Sequence, residues 1–446
     1  MSKRKSITLL SIISVLLAIV LVLTFGQFKL DKAGVNKYAS LFGAVELDYD
    51  LEGGTAYTIA LADDNEEEVT DINSVIQILD YRMSALGYGA YSIKAVKSTD
   101  KDVLDYTLRI EAKTTESLAS DISVVIAHGT LQFFGGENSD STTEILKDVN
   151  VIKRAQYTGA TTTTGETAVY GVSFEFTKEA YDELVELIEA SSTYHLNIKL
   201  GDTDIFSSSI TKDNFRNRTL PIVSQSEAGA KQMAVQLKYG GLGYKYEIKD
   251  TETVTSPLGA DIAKKCAVAI ITLSVLSIAL LIILYKGFGI CTALSMLIFI
   301  LGEGWLLIGV PGIVLSIGGV VGILGATVLA GISMAILASR VKEEFIGSQK
   351  TVKAAINKAF KQTLVPTISV NVACGLVAAL LFAFADGLVK NFAITFGIGA
   401  VVSVICVLVF TRMFNALILP LAKNKEKFIG FKRLPKEELN EGTEEA

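Results

Sequence analysis

Residues 313–339, IVLSIGGVVGILGATVLAGISMAILAS, form an apolar run that contains no charged side chain. A helix needs about 20 apolar residues to cross a bilayer, so this run is long enough to span one. Small residues let the backbones of neighbouring helices approach closely. The glycines of the run, Gly318, Gly319, Gly322, Gly325 and Gly331, therefore predict a close helix–helix contact.

Five further apolar runs lie outside this one, which predicts six membrane spans in all. They are Ile7–Phe25, Cys266–Tyr285, Phe288–Val310, Leu364–Ala385 and Phe392–Thr411. The first run follows three cations, and no small-residue cleavage site comes after it. It is therefore predicted to be an uncleaved anchor rather than a signal peptide.

Positive charge predicts the orientation, because cytoplasmic loops carry an excess of Lys and Arg. The loops and tail on the predicted inner side hold Lys286, Arg340, Lys342, Lys350, Lys353, Lys358, Lys361, Lys423, Lys425, Lys427, Lys432, Arg433 and Lys436. The short outer loops hold only Lys390, although Lys264 and Lys265 oppose the rule just outside the second span. Both termini are predicted to be cytoplasmic. The predicted regions are an anchor (1–28), an extracytoplasmic domain (29–262), a five-span membrane domain (263–421) and a charged tail (422–446).

Composition excludes some classes of partner and bond. The chain is 50% hydrophobic and carries a net charge of −6, with no basic face, which argues against nucleic-acid binding. The four cysteines, Cys266, Cys291, Cys374 and Cys406, all lie in apolar runs. The extracytoplasmic domain therefore contains no disulfide, and the cysteines are predicted to act as small apolar side chains.

The stretch 29–262 is predicted to be an α+β domain in which the order β-α-β-β-α-β occurs twice, as two ferredoxin-like units. The first unit is strand 55–61, helix 71–86, strands 90–97 and 105–112, helix 115–127 and strand 130–134. The second comprises strand 169–176, helix 178–190, strands 195–200 and 204–208, strand 220–223, helix 226–239 and a strand near 244–249. The polar residues Thr161–Thr164 between them are predicted to be flexible. The predicted fold class is an α-helical membrane bundle of six spans with this α+β domain.

Catalytic patterns are absent from the sequence. It has no Walker A motif, and His128 and His195 are not at metal-ligand spacing. The acidic run Asp63, Asp64 and Glu66–Glu68 lacks EF-hand spacing and is predicted to be a solvated loop. We therefore predict no enzymatic activity, no cofactor and no metal site.

Glu303 is the only carboxylate inside a predicted span. Ionisable residues within membranes are costly to bury and are usually functional. Glu303 is therefore a candidate proton or ion site, and the alternative is a carboxylate that hydrogen-bonds to a neighbouring helix near the interface.

The order of these parts, and several motifs, resemble the SecD family of the resistance-nodulation-division superfamily. Asp50-Leu51-Glu52-Gly53-Gly54-Thr55 resembles the family's Asp-Leu-x-Gly-Gly-Thr element. Further similar stretches are Pro257-Leu258-Gly259, Arg340-Val341-Lys342-Glu343-Glu344, Val389-Lys390-Asn391-Phe392-Ala393 and Thr411-Arg412. The resemblance covers about residues 45–420 and implies a multi-pass protein of the bacterial cell membrane.

One position departs from the family pattern. Aligned without gaps back from Arg340, the family's fourth span carries an aspartate linked to proton use, and this chain has Ile332 there. Three accounts remain open: a partner carries the coupling, Glu303 has taken it over, or the complex works without a proton gradient. The first is favoured because a paired architecture offers a second site.

The resemblance implies an accessory subunit of the Sec protein-export machinery that assists translocation of secreted chains. The implied partners are the Sec translocon channel, unfolded secretory polypeptides and a separate SecF-like subunit, which the glycines of residues 313–339 are expected to contact. One alternative is an exporter of lipids or small molecules from the same superfamily. Those proteins usually carry two span sets. Another is a membrane-anchored binding or assembly factor, which would need only one span.

Overall fold

The computed structural model describes residues 3–26, 28–29, 37–38, 40–62, 71–97, 106–138, 141, 143–147, 151–162, 168–190, 194–310, 313–347 and 351–431. The chain divides into two compact units. The membrane unit comprises residues 1–52 and 257–446, and a second unit comprises residues 53–256. We call the second unit the external unit, and the terms external, outer and inner refer to the predicted orientation. The bounds of the two units are set by packing within each unit. The predicted extracytoplasmic domain, residues 29–262, is defined instead by the side of the membrane on which it lies. The acidic run 63–68 lies outside the described residues.

The first part of the membrane unit contains one long helix followed by short elements. They are α1 (Lys3–Phe25), β1 (Phe28–Lys29), β2 (Lys37–Tyr38), α2 (Leu41–Ala44) and α3 (Tyr49–Glu52).

The external unit alternates strands with four helices. Its strands are β3 (Gly53–Leu61), β4 (Tyr91–Lys97), β5 (Tyr106–Ala112), β6 (Leu131–Gly136), β7 (Glu144–Ile145), β8 (Ile152–Thr162), β9 (Ala168–Phe176), β10 (Tyr194–Leu200), β11 (Thr203–Ile210), β12 (Thr219–Ser224) and β13 (Tyr246–Thr255). Its helices are α4 (Ile72–Leu86), α5 (Leu118–Val125), α6 (Lys178–Glu189) and α7 (Glu227–Tyr239).

The local sequence determines where helix α4 begins and ends and which face it buries. The Asp71 side chain accepts hydrogen bonds from two first-turn N–H groups, and Gly87 ends the helix at φ 97°. That left-handed conformation suits glycine. The buried face holds Val75, Leu79 and Met83, which confirms the predicted helix and its apolar side.

The strands form sheets in the orders β13-β3-β5-β4, β11-β10-β6-β7 and β12-β9-β8. The prediction of two consecutive ferredoxin-like units is wrong in its pairing. Strand β6 (Leu131–Gly136), expected to close the first unit, joins β10 and β7 instead, and β13 closes the first sheet. Strands β9, β10 and β13, all expected in the second unit, are spread over the three sheets. Helix α5 packs in the core of the first sheet with α4. The segment between α5 and β13 is thus an insertion with its own core around Phe174, Phe176 and Leu196.

Arg82 on α4 is fully buried and links the two parts of the external unit. Its guanidinium donates to the carbonyls of Val125 at 2.6 Å, Ala127 at 3.2 Å and Gly240 at 2.6 Å. These carbonyls follow the last turns of α5 and α7, where a cation complements the helix dipole. Burial lowers the pKa of Arg82 to about 10.

The second part of the membrane unit is helical. Its helices are α8 (Ile262–Gly309), α9 (Ile317–Ile346), α10 (Val352–Phe384), α11 (Gly387–Ile405), α12 (Thr411–Ile418) and α13 (Lys425–Ile429), with a π-helical turn at Cys406–Phe410 between α11 and α12. Among the described residues, five helices, with α11 and α12 counted as one, are long and apolar enough to cross a membrane. The predicted apolar runs fall on these helices, except the first residues of the run 313–339 and the end residues Val310 and Ala385, which are C-caps.

Helix α8 carries two predicted spans in 48 residues. A straight helix of that length would extend about 72 Å, more than twice the ~30 Å hydrocarbon core. Lys286 breaks it with the non-helical angles φ 51° and ψ −124°. A Cβ on Gly289 would collide with the carbonyl of Leu281, so the two segments are in contact just beyond the break. Near the outer end, the indole N–H of Trp305 donates to Thr24 of α1 at 3.1 Å.

Helices α9 and α11 pack through small residues. A Cβ on Gly318 would collide with the carbonyl of Leu388, and one on Gly322 would collide with Thr395. Thr395 also donates to the carbonyl of Gly319 at 3.0 Å. These glycines therefore serve packing within the chain, which corrects the expectation that they contact a partner. Gly331 differs, because nothing described lies within 4 Å of a Cβ placed on it.

Candidate functional site

The N-terminus of α9 gathers stretches that are far apart in sequence. Leu47 and Leu315 pair in a parallel bridge, with Asp48 N donating to Leu315 O at 2.9 Å and Leu315 N donating to Glu46 O at 2.8 Å. The Asp50 carboxylate accepts from Ile317 N at 2.6 Å, across 267 residues. The bridge also explains why α9 begins later than the predicted run: Ile313–Leu315 are extended and Ser316 is the N-cap.

A second motif stretch reaches the same place, which we call the outer junction (Glu46–Glu52, Leu315–Ile317 and their contacts). Asn391, from the Val389–Ala393 motif, donates to the Ser316 hydroxyl at 3.0 Å. Leu51 is buried in an apolar cluster to which Ile262, at the start of α8, also belongs. Two of the family-like motifs therefore meet here, which no sequence spacing indicated.

The electrostatics of Asp50 combine two opposing effects. Burial raises the pKa of its carboxyl above the usual value, while N–H groups of Ile317, Asp50 and Leu51 lower it by a smaller amount. A carboxylate on the first N–H of a helix is favoured by the helix dipole. Asp50 is therefore held in place by directed N–H groups despite its desolvation.

The glycines after Asp50 are required by close backbone approach. Gly53 has φ +93°, and its Cβ position lies within 2.8 Å of Ser256 N. A Cβ on Gly54 would collide with the carbonyl of Ala112. Thr55 bonds through its hydroxyl to Thr114 at 2.7 Å. This half of the motif therefore fixes the start of β3 between β13 and β5.

The remaining motif residues of the outer side form the entry to α8. Pro257 and Leu258 are exposed. Gly259 has φ +103°, and its carbonyl accepts from Ile262 N at 3.1 Å.

The inner end of α9 holds the charged motif. Arg340 pairs with Glu343 at 2.6 Å, and Glu344 pairs with Lys358 of α10 at 2.9 Å. Arg412 is exposed on α12. The motif residues therefore lie at several places in the fold rather than forming one cluster.

Glu303 lies on the second segment of α8 and is 2% exposed. Its Oε1 has no hydrogen-bond partner among the described residues. A Cβ on Gly399 would lie 2.6 Å from Oε1 and would also collide with Ala326. The carboxyl group is therefore enclosed where α8, α9 and α11 meet, and this enclosure does not match the expected hydrogen bond to a neighbouring helix.

Ile332 points away from the helix contacts, with 53% of its surface exposed. The inward-facing polar group of that turn is Ser333, which accepts from the Asn371 amide of α10 at 3.2 Å. Sequence reasoning missed this pair. The signal for it was a serine and an asparagine in apolar runs, and only the helix phase shows that both face inward.

Other buried oxygens lie near the same helices. Among the described residues, Thr367, Asn371 Oδ1 and Ser403 have side-chain oxygens without a hydrogen-bond partner. By contrast, Ser274, Ser295 and Thr327 bond to a carbonyl of their own helix. Ser403 lies three residues before the π-helical turn, a feature that often marks functional regions of helices.

The chain shares sequence with known families and proteins. The family described as "Protein export membrane protein SecD/SecF, C-terminal" matches residues 235–418. The chain is similar to the protein translocase subunit SecD of Leptotrichia buccalis, 25% identical over 368 residues, 82% of this chain and 86% of that protein. It is also similar to SecD of Acidaminococcus fermentans, 25% identical over 379 residues, 83% of this chain and 85% of that protein.

Among solved structures, the chain is similar to SecDF in its super-membrane-facing form. The TM-score is 0.69 at 20% identity, over 97% of this chain. At this identity the likeness concerns the fold alone. The chain spans 59% of the length of that SecDF chain.

Gly399→Ala is expected to lower the melting temperature of the protein in detergent, because the added methyl group collides with Glu303 and Ala326. Overpacking of this kind costs about 1–3 kcal/mol. The matched control is Gly375→Ala on α10, where nothing described lies within 4 Å of the Cβ, and there alanine should stabilise the helix slightly. An unchanged melting temperature for Gly399→Ala would contradict the packing described.

Proposed function

We propose that this chain, which belongs to the SecD family, is an accessory subunit of the Sec protein-export machinery and assists translocation of secreted polypeptides. The observation that carries the proposal is the similarity to SecD proteins over more than four-fifths of the chain. Three motif residues support it, because Asp50 caps α9 and the close backbone approach at Gly53 and Gly54 leaves no room for a side chain. In this role the chain is a translocase component rather than an ordinary enzyme, and the external unit holds segments of the emerging polypeptide.

A crosslinking pull-down from native membranes tests this function. We expect recovery of Sec translocon subunits together with a SecF-like chain, since the family that matches residues 235–418 is described for SecD and SecF together. Gly331→Leu should reduce recovery of the SecF-like chain, because Gly331 is the glycine of α9 left open by the described packing. Gly375→Leu, at an open position on α10, is the control. Absence of translocon subunits from the wild-type pull-down would refute the proposal.

The protein is a multi-pass membrane protein, and we infer six spans with both termini in the cytoplasm. The break at Lys286 supports the count, because α8 can then cross twice. Charges at the inner end support the orientation. Lys286 donates to the carbonyl of Gly430 at 2.5 Å, and Lys286 and Lys342 each lie 5.0 Å from the ring of Phe431. The cationic turn, the end of α9 and the tail segment therefore lie on one side.

Cysteine labelling tests this orientation. In a cysteine-free background, Ser208→Cys in the external unit is expected to react with an impermeant maleimide on intact cells. Lys425→Cys, also exposed, should react only after the membrane is opened. Reaction of Lys425→Cys on intact cells would reverse the proposed topology.

We also infer that Glu303 is the ion- or proton-linked group of this subunit. A buried charge without a counter-ion is strongly disfavoured in a low-dielectric interior. The Oε1 atom of Glu303 has no hydrogen-bond partner among the described residues, and the helices around it touch through Gly399 and Ala326. Gain or loss of a proton there therefore changes how well the three helices pack. This burial favours Glu303 over the partner, which the sequence alone favoured.

Glu303→Gln tests the role, because glutamine keeps the shape and removes the titration. Translocation into membrane vesicles is measured with and without a proton gradient. The variant is expected to assemble normally and to lose most of the stimulation by the gradient. Gly375→Ala serves as the packing control. If Glu303→Gln retains full stimulation, the coupling lies in the partner subunit or is absent.

A further inference from the structure

The outer junction contains a helix cap that α9 does not need for its own formation. Ser316 already caps the helix locally, its hydroxyl accepting from Gly319 N at 3.4 Å. Asp50 adds a second acceptor from a remote part of the chain, on Ile317 N. A cap supplied across 267 residues contributes little to starting a helix, but it joins two segments.

The chain between this cap and the external unit is short. Asp50 lies three residues before Gly53, which pairs with Thr255 at the start of β3. Three residues span at most about 10 Å when extended. Residues Tyr49–Glu52 are helical, so the distance available is smaller still. Only Leu51 and Glu52 therefore separate the capping carboxylate from the first residue of the external unit.

Leu51 reinforces the attachment from the apolar side. It is 2% exposed and packs in one cluster with Val320 of α9 and Cys266 of α8. The segment is thus held by a backbone bridge, a carboxylate and a buried leucine, all directed at the first turns of these helices.

We propose that Asp50 is a positioning residue that fixes the segment Glu46–Glu52 on the first turn of α9, so that movement of the chain entering the external unit is passed to this helix. The proposal rests on the proposed function for its biological output. Helix α9 is suited to receive the movement, because it packs tightly on α11 and borders both Glu303 and the Ser333–Asn371 pair. The acceptor oxygen, rather than the charge, carries the role.

Substitutions at Asp50 separate these contributions. Asp50→Asn keeps an acceptor for Ile317 N and removes the buried charge, whereas Asp50→Ala removes the acceptor. Loss of a capping acceptor is expected to shift the equilibrium between the attached and the detached state of Glu46–Glu52 by about fivefold. Glu52→Ala, on the same short helix but exposed, is the matched control.

Export into vesicles is measured for each variant in the presence of translocon and partner. Asp50→Ala is expected to lower the stimulation of export severalfold while assembly and melting temperature of the complex stay near wild type. Asp50→Asn and Glu52→Ala should retain it. Full stimulation by Asp50→Ala would overturn the proposal, and equal loss with Asp50→Asn would show that the charge is what matters.

A disulfide provides the rescue. Leu47→Cys and Leu315→Cys place cysteines at paired positions of the bridge, within disulfide range, with the native cysteines replaced by alanine. Oxidation should restore export to Asp50→Ala, and reduction should remove it again. A disulfide that forms without restoring export contradicts the role.

Two further measurements keep the outcome decisive. If Asp50→Ala fails to fold, a Gly-Ser insertion between Glu52 and Gly53 leaves the junction intact and lengthens the connection. The insertion should abolish the stimulation of export, while the same insertion between Gly201 and Asp202 should not.

The yield of the Leu47→Cys/Leu315→Cys disulfide, measured without any export assay, reports on the outer junction alone. This yield should fall in Asp50→Ala. If wild type gives no stimulation but this yield still depends on Asp50, the proposed function fails and the junction stands.

Discussion

The approach of α9 to α11 leaves room for hydrogen alone at Gly318 and Gly322, and the rest of the membrane unit is arranged around that contact. In a bilayer the hydrophobic effect does not drive helices together, so close packing and interhelical hydrogen bonds must hold them. The Thr395 hydroxyl supplies such a bond to the Gly319 carbonyl. The contact between α9 and α11 continues along both helices to Ala326 and Gly399, and there it also encloses the Glu303 carboxyl group. The buried carboxyl group and the close contact between α9 and α11 are therefore parts of one feature.

The two ends of α9 are held differently. The outer end receives backbone bonds and a carboxylate from the segment before the external unit. The inner end carries ion pairs, which include Glu344 with Lys358, and it buries Val341 and Phe345 in the apolar core shared with α10. Exposed ion pairs are individually weak, so apolar packing supplies most of the attachment there. The outer end is held by directed hydrogen bonds and the inner end mainly by apolar packing.

Sequence patterns predicted the features that depend on local composition. The apolar runs on α8–α11 and the cap and stop of α4 at Asp71 and Gly87 follow from periodicity and helix signals. Sheet membership did not follow, because a strand such as β6 or β13 has the same alternation whichever neighbour it joins. The bond from Asp50 to Ile317 and the enclosure of Glu303 depend on contacts between distant segments. Ser333 and Ile332 are adjacent in sequence, and only the orientation of the helix decides which one faces the interior.

The closing strand of the first external sheet has a consequence for biosynthesis. Strands β3, β4 and β5 are complete by residue 112, but the partner that covers the other side of β3 is β13, which ends at Thr255. Pairings between remote segments form slowly, since the intervening loop must close first. While the ribosome adds the intervening residues, β3 presents an open edge that invites incorrect pairing. Because α8 begins at Ile262, the sheet is completed only as the second membrane segment is being made, and folding of the external unit is timed by insertion of the helices that follow it.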